Sequence, residues 1–214
     1  MFTGLVETLG KVVEMIDQPP GKRLVIEVPM FRDEDADRDI QLGDSIAING
    51  CCLTVIEIDG DRLAFEAGEE TLSRTNLGEL QPGQSFVNLE RSLAVGDRMG
   101  GHYVTGHVDG IGRLVQRTDD PPWANLTFSL PPGLPEQVVS KGSIAIDGIS
   151  LTVVEVGDDF FTVALIPHTL EVTTLGKRSI GDRVNLETDL LAKYVQRSLR
   201  FGGSDFNETN GTTA

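Results

Sequence analysis

Few side chains in this sequence could move a proton or attack an electrophile near neutral pH: three histidines (His102, His107, His168) and two cysteines (Cys51, Cys52). Repetition sorts them. The segment Thr105-Gly106-His107-Val108 echoes Thr3-Gly4-Leu5-Val6, 102 residues earlier, so an imidazole stands where the first copy has a leucine. A polar residue at an otherwise apolar place needs a reason. A longer phrase also recurs: SIAINGCCLTV (45–55) and SIAIDGISLTV (143–153), offset by 98. Within it Asn49 becomes Asp147, Cys51 becomes Ile149 and Cys52 becomes Ser150. Cys51, matched by an isoleucine, reads as a core residue. Cys52, matched by a serine, is a second polar difference between the copies, and it reads equally as a small buried residue. Thr54 and Thr152 put hydroxyls at matching positions; they read equally as ligand contacts or as β-favouring residues.

Several chemistries lack their motifs. Gly110-Ile111-Gly112 continues as Arg-Leu-Val, so no dinucleotide fingerprint is present, and neither is a phosphate-binding Walker loop, a G-x-S-x-G elbow or an H-E-x-x-H pair. The histidines and cysteines make no zinc spacing. The expectation is a chain with no metal and no cofactor of its own.

The elements that must position these residues read as β-structure. Leu24 to Val28 reads as a strand after the turn Gln18-Pro19-Pro20-Gly21, and residues 2–13 read as an opening strand with a glycine break. Ile46 and Ile48 alternate with polar or small residues up to the turn Asn49-Gly50; strands follow at 53–58 and 62–67. The stretch 70–78 reads as one short helix closed by Gly78, with a counterpart at 168–176. Phe86-Val87-Asn88-Leu89-Glu90 answers Arg183-Val184-Asn185-Leu186-Glu187. The fold expected is all-β: two similar six-stranded barrels in tandem, plus a C-terminal helix. Residues 1–97 form the first barrel, 98–187 the second, 188–201 the helix and 202–214 a polar tail. On the helix Leu190, Leu191, Tyr194, Val195 and Leu199 make one apolar stripe, which must be buried on its own barrel or on other copies.

Charge narrows the partners. The net charge of −15 disfavours nucleic acid and anionic membranes. The acidic run Asp33 to Asp39 reads as a solvated loop or short helix, and the overall acidity suits either an ordinary acidic protein or one working in high salt. Adjacent cysteines on a strand point to opposite faces and form no disulfide framework. Without an apolar leader or a spanning segment, the expected compartment is the cytoplasm.

Taken together, MFTGLVE, NGCCLTV, ETLSRTNLG, GGHYVTGHVDG, IDGISLTVVEV, IPHTLEVTTLG and VNLETD resemble riboflavin synthase of the alpha-chain type, over residues 1 to about 200. The resemblance implies two Greek-key barrels, a homotrimer joined by the C-terminal helix, and a cofactor-free dismutation of two 6,7-dimethyl-8-ribityllumazine molecules. It implies a first pocket of Gly4, Leu5, Val6, Cys52, Leu53, Thr54 and the stretch Glu66, Ala67, Gly68, Glu69, Glu70, Thr71. A second would comprise Gly106, His107, Val108, Lys141, Ser150, Leu151, Thr152 and the stretch Ala164, Leu165, Ile166, Pro167, His168, Thr169. Phe2, Ser45, Cys52, His107, Thr152 and Asp189 match positions near the chemistry. His107 would shuttle the proton, and Cys52 with Ser45 would place the nucleophile. Association with lumazine synthase is a further possible partnership. Three rivals remain: a non-catalytic lumazine or flavin carrier of the same fold, a flavin reductase barrel (its R-x-Y-[ST] motif and nucleotide domain absent), and an oligonucleotide-binding barrel, disfavoured by charge and by 6% aromatic content.

Overall fold

Alternation along each short strand puts one face inward, and in each half six such strands close on themselves. The computed structural model describes residues 1–28 and 40–201; the acidic run 33–39 and the tail 202–214 lie outside the described residues. The first half contains β1 (Thr8–Gln18), β2 (Gly21–Glu27), β3 (Ser45–Ile48), β4 (Cys51–Asp59), β5 (Arg62–Gly68), α1 (Glu69–Arg74) and β6 (Phe86–Arg91). The second contains β7 (Gly110–Asp120), β8 (Trp123–Ser129), β9 (Ser143–Ile146), β10 (Ile149–Val156), β11 (Phe160–Leu165), α2 (Pro167–Val172), β12 (Arg183–Thr188) and then α3 (Leu190–Phe201). All pairs are antiparallel, and both halves close as barrels, in the orders β1-β2-β5-β4-β3-β6 and β10-β11-β8-β7-β12-β9. Closure leaves no exposed edge strand among the described residues. Each barrel has its own core: Leu24, Ile26, Phe65 and Leu89 lie in the first, and Leu126, Phe128, Phe161 and Leu186 in the second.

Three local expectations need correction. The opening strand does not begin at Phe2: β1 starts at Thr8, and residues 3–7 form an irregular arm. Gly4 has φ +78°, and its neighbour Thr3 spends its backbone N–H on a side chain rather than on a strand partner. The stretch 70–78 is not one helix: α1 stops at Arg74, Thr75 is extended, and a 3-10 turn runs Asn76–Glu79. The Thr75 hydroxyl ends the first helix by donating to the Thr71 carbonyl and opens the turn by accepting from Leu77 N–H. Thr173 breaks α2 from the turn Thr174–Lys177 at the matching place, its hydroxyl donating to the Thr169 carbonyl but capping no N–H of the turn.

The barrels meet around a local two-fold relation. Phe2 pairs with Val104 as an isolated antiparallel bridge, and Phe2, Ala47, Val104 and Ala145 form a small core between the barrels. The turns Asn49-Gly50 and Asp147-Gly148 lie back to back: a Cβ on Gly50 would sit 2.6 Å from Gly148 N. Beside them runs a buried polar seam. Asn88 donates to the Asp147 carbonyl and to the Thr174 hydroxyl, while Asn185 donates to the Asn49 carbonyl and Asn76 to the Asp147 carboxylate. Polar groups this deep are tolerated because they are paired.

α3 docks through polar side chains. Lys193 reaches Asp109 at 2.7 Å, Gln196 accepts from Gln137, and Arg200 reaches Glu136. Its predicted apolar stripe is left open: Leu191, Tyr194, Val195 and Leu199 are all exposed, and Leu199 is 76% accessible. The stripe borders a groove of about 550 Å³ that also takes in Val139 and Ser143.

Candidate functional site: crossed arms on two barrels

The strand alternation decides which predicted residues face outward. On β4, Cys51, Leu53 and Val55 turn into the core, whereas Cys52 is half-buried and Thr54 exposed on the other face. Burial pushes the Cys51 thiol up to about 12, so it stays protonated and inert. On β10, Ser150 and Thr152 take the places of Cys52 and Thr54, and Leu151 packs on the second core. The inward residues of the predicted contact stretches, Leu53, Leu151, Ala67 and Leu165, therefore do not offer side chains to a ligand on the outer face. Glu66, Gly68, Glu69 and Glu70 are exposed and Thr71 half-buried where β5 enters α1, as are Ala164, Ile166, Pro167, His168 and Thr169 at the matching corner.

The arms cross, and this overturns the grouping expected from the sequence. Gly4 accepts at its carbonyl from Ser150 N–H at 2.8 Å, and Gly106 accepts from Cys52 N–H at 2.9 Å. Val6 packs on the second core and Val108 on the first. Thus Gly4, Leu5 and Val6 belong with Ser150 and Thr152, while Gly106, His107 and Val108 belong with Cys52 and Thr54. The contact admits only glycine: a Cβ at Gly4 would lie 2.5 Å from the Ser150 Cβ, and one at Gly106 2.5 Å from the Cys52 Cβ. Both glycines also have positive φ. The shared T-G sequence signal was visible; which barrel each arm served was not, because a pairing across barrels leaves no spacing to read.

The two sites carry different polar groups. Beside the first barrel stand Cys52, Thr54, His107 (exposed, like Leu5 on the other arm) and Ser45, whose Cα pairs with Thr54. Ser45 and Leu5 line a cleft of about 740 Å³. Beside the second stand Ser150, Thr152, Lys141 and a residue that sequence reasoning passed over, His102. Its Nδ1 lies 2.6 Å from the Ser150 Oγ, and its Nε2 is buried without a hydrogen-bond partner among the described residues. Burial holds this imidazole below the ordinary histidine range, and the Asp189 charge partly offsets that. His102 precedes the repeat, so it has no counterpart in the first copy to flag it. Lys141 has φ +66° where the first copy has Gly43. A lysine held in the left-handed region is a local strain of the kind that collects at functional sites. Asp189 opens α3, its carboxylate accepting from Leu191 N–H. Phe2 does not reach the open surface: it is fully buried, with its ring against Gly106. Among the described residues no cluster of three or more metal-ligating side chains occurs.

The comparisons agree with this geometry. A family model described as the lumazine binding domain matches residues 3–92 and again 105–189, one match per barrel. The chain belongs to the lumazine-binding domain family. Within that family it is 49% identical over 207 residues to a riboflavin synthase of Mycobacterium tuberculosis (strain ATCC 25618 / H37Rv), covering 95% of this chain and 100% of that one. It is 42% identical to a riboflavin synthase of Actinobacillus pleuropneumoniae, over 98% of this chain and 95% of the other. Among solved structures, that of LumP complexed with riboflavin aligns with a TM-score of 0.78 at 29% identity, over 88% of this chain and 99% of that one.

Proposed function

We propose that this chain is a riboflavin synthase: a transferase that takes two molecules of 6,7-dimethyl-8-ribityllumazine, moves a four-carbon unit from one to the other, and yields riboflavin and 5-amino-6-ribitylamino-uracil. The observation that carries this reading is likeness to relatives of that name at 38% to 49% identity over most of both chains, against 29% for LumP complexed with riboflavin. The doubled architecture suits the chemistry. Two identical reactants ask for two similar pockets, and holding both converts a bimolecular step into an intramolecular one, which can be worth about 7 kcal/mol or more of barrier. Donor and acceptor play opposite parts, so the pockets must differ at a few polar points. Here they differ at Cys52/Ser150, Leu5/His107 and Gly43/Lys141.

His107 is the proposed proton shuttle, acting on the acidic methyl group of one lumazine. Cys52 and Ser45 place or activate the nucleophile that adds to the other. Thr54 and Thr152 hold the ring edges from the outer strand faces, and Asp189 with His102 orders the Ser150 hydroxyl. The two pockets of one chain lie on separate barrels, so productive pairing brings the first barrel of one copy to the second barrel of another. The open stripe on α3 supports assembly of copies through that helix, as a homotrimer. The cytoplasm is the proposed compartment, and association with lumazine synthase a proposed partnership.

Mixing the protein with the lumazine should raise riboflavin absorbance with one uracil product per flavin. Folded, assembled His107→Ala and Cys52→Ser variants should each slow turnover by at least about 100-fold, the usual scale for losing acid–base catalysis. Steady lumazine binding without conversion would instead favour a carrier, and wild-type rates in both variants would remove the assigned roles.

A further inference from the structure

Each arm is held by a buried carboxylate that no catalytic role has absorbed. Glu90, near the end of β6, accepts from Thr3 N–H (2.6 Å), the Thr3 hydroxyl (2.8 Å) and Gly4 N–H (3.0 Å). Glu187, near the end of β12, repeats the clasp on Thr105 N–H (2.7 Å), the Thr105 hydroxyl (2.7 Å) and Gly106 N–H (3.0 Å). The two carboxylates are 6% and 3% accessible. Isolated, each would be strongly disfavoured; three donors apiece explain why it is kept. Burial pushes both carboxyls up from the ordinary glutamate range, while the arm's donors pull them back down.

The direction of each clasp is informative. Glu187 belongs to the second barrel, yet the glycine it grips hands its carbonyl to Cys52 of the first and carries His107 beside it. Glu90 belongs to the first barrel, and its glycine hands its carbonyl to Ser150 of the second. The arm is then tied back to its own barrel: Glu7 binds Arg91 next to Glu90, and Asp109 binds Thr188 next to Glu187. Fixed at both ends, each arm must bow outward onto the neighbouring barrel.

We propose that Glu90 and Glu187 are positioning residues acting across the barrels: Glu187 sets the lumazine pocket of the first barrel by aiming Gly106 and His107, and Glu90 sets that of the second by aiming Gly4 and Leu5. The proposal rests on the reading of both barrels as lumazine-binding pockets. A carboxylate with only a structural duty would disturb its own barrel first. A carboxylate that aims the arm disturbs the other one. This crossed signature separates the two.

The test follows the threonine methyls of Thr54 and Thr152 by NMR, on the full assembled protein, during titration with riboflavin. With Glu187→Gln, the riboflavin affinity reported at Thr54 should weaken by at least about tenfold, the scale of losing one charge-assisted hydrogen bond, while that at Thr152 stays within about twofold. Glu90→Gln should give the mirror image. Thr105→Val removes one donor while leaving the carboxylate, and should reproduce the Thr54 effect more weakly; it decides the matter if Glu187→Gln does not fold. Uncrossed effects, or equal effects at both methyls, would overturn the proposal. Wild-type conversion of lumazine is scored separately. Its absence would sink the enzymatic reading, whereas turnover with no crossed pattern would sink only the clasp.

Discussion

The polar seam between the barrels contains a buried charged pair, Asp147 with Arg178, that the first copy does without. Asp147 is fully buried; its carboxylate takes Arg178 at 2.7 Å, Asn185 N–H at 2.8 Å and Asn76 at 2.8 Å. The matching residues in the first copy are Asn49 and Leu80, an uncharged pair at the same two places. Arg178→Leu strands a carboxylate in the interior, which costs about 3–5 kcal/mol. Asp147→Asn strands the guanidinium instead. Arg178 is 22% exposed and can turn toward water, so the loss is smaller, about 2–3 kcal/mol. The double change Asp147→Asn/Arg178→Leu installs the first copy's solution and should lie within about 1 kcal/mol of wild type, because a buried pair replaced by a neutral one is often nearly free. The coupling is then about 4 kcal/mol or more. Urea unfolding read at Trp123, the only tryptophan, exposed at the start of β8, measures it from the second barrel.

The same cycle has a pH arm. Burial already raises the Asp147 carboxyl above the ordinary 3.8, with Arg178 pulling it down; removing Arg178 raises it further. A raised native value means the folded state holds a proton that the unfolded chain has released. Stability therefore falls as pH rises through that window, so the Arg178→Leu penalty should shrink on going from about pH 7 to about pH 5, with no such recovery in the double variant. Additive losses in the double variant, or a pH-independent Arg178→Leu penalty, would refute the argument.

Three further outcomes follow from the site. Gly106→Ala and Gly4→Ala each add a Cβ to a 2.5 Å contact at positive φ, and should cost more than about 2 kcal/mol in unfolding and most of the turnover, whereas Gly60→Ala meets nothing within 4 Å and should cost only its φ strain of about 1 kcal/mol. His102 is held below its ordinary value of 6.5, so the unfolded chain binds the extra proton first; stability should rise with pH through the window below 6.5, and His102→Gln should flatten that slope in thermal unfolding scans. Leu191→Glu with Leu199→Glu on the open face of α3 should leave each barrel folded by circular dichroism but yield single chains in sedimentation.

The barrels were legible because their signals are local. Alternation along Ser45 to Ile48 and the Asn49-Gly50 turn depend on neighbours in sequence, and the 98-residue echo prints the same local signals twice. The helix at 70–78 misled because the side chain of Thr75 competes with the helical backbone, a choice made by one hydroxyl. The arms misled for the opposite reason. Nothing near Gly4 in the sequence names Ser150, 146 residues on; only the fold brings them together. Glu90 and Glu187 did leave a trace: a glutamate repeated at the same strand position in both copies. Repetition alone could not show that it was buried, nor what it held.

Crossing the arms also bears on why the two halves remain one chain. If each arm served its own barrel, two identical pockets could drift apart freely by changes within each half. With the arms exchanged, the first barrel's site depends on Glu187, Gly106 and His107 from the second half, and the second barrel's on Glu90, Gly4 and Leu5 from the first. The asymmetry that a donor and an acceptor need is then written on the arms as well as on the strands: an imidazole is delivered to the thiol side, and a leucine to the serine that His102 already serves. A change such as Leu5→His is accordingly a change to the second barrel's pocket, and its effect should be read at Ser150 and Thr152 rather than at Cys52.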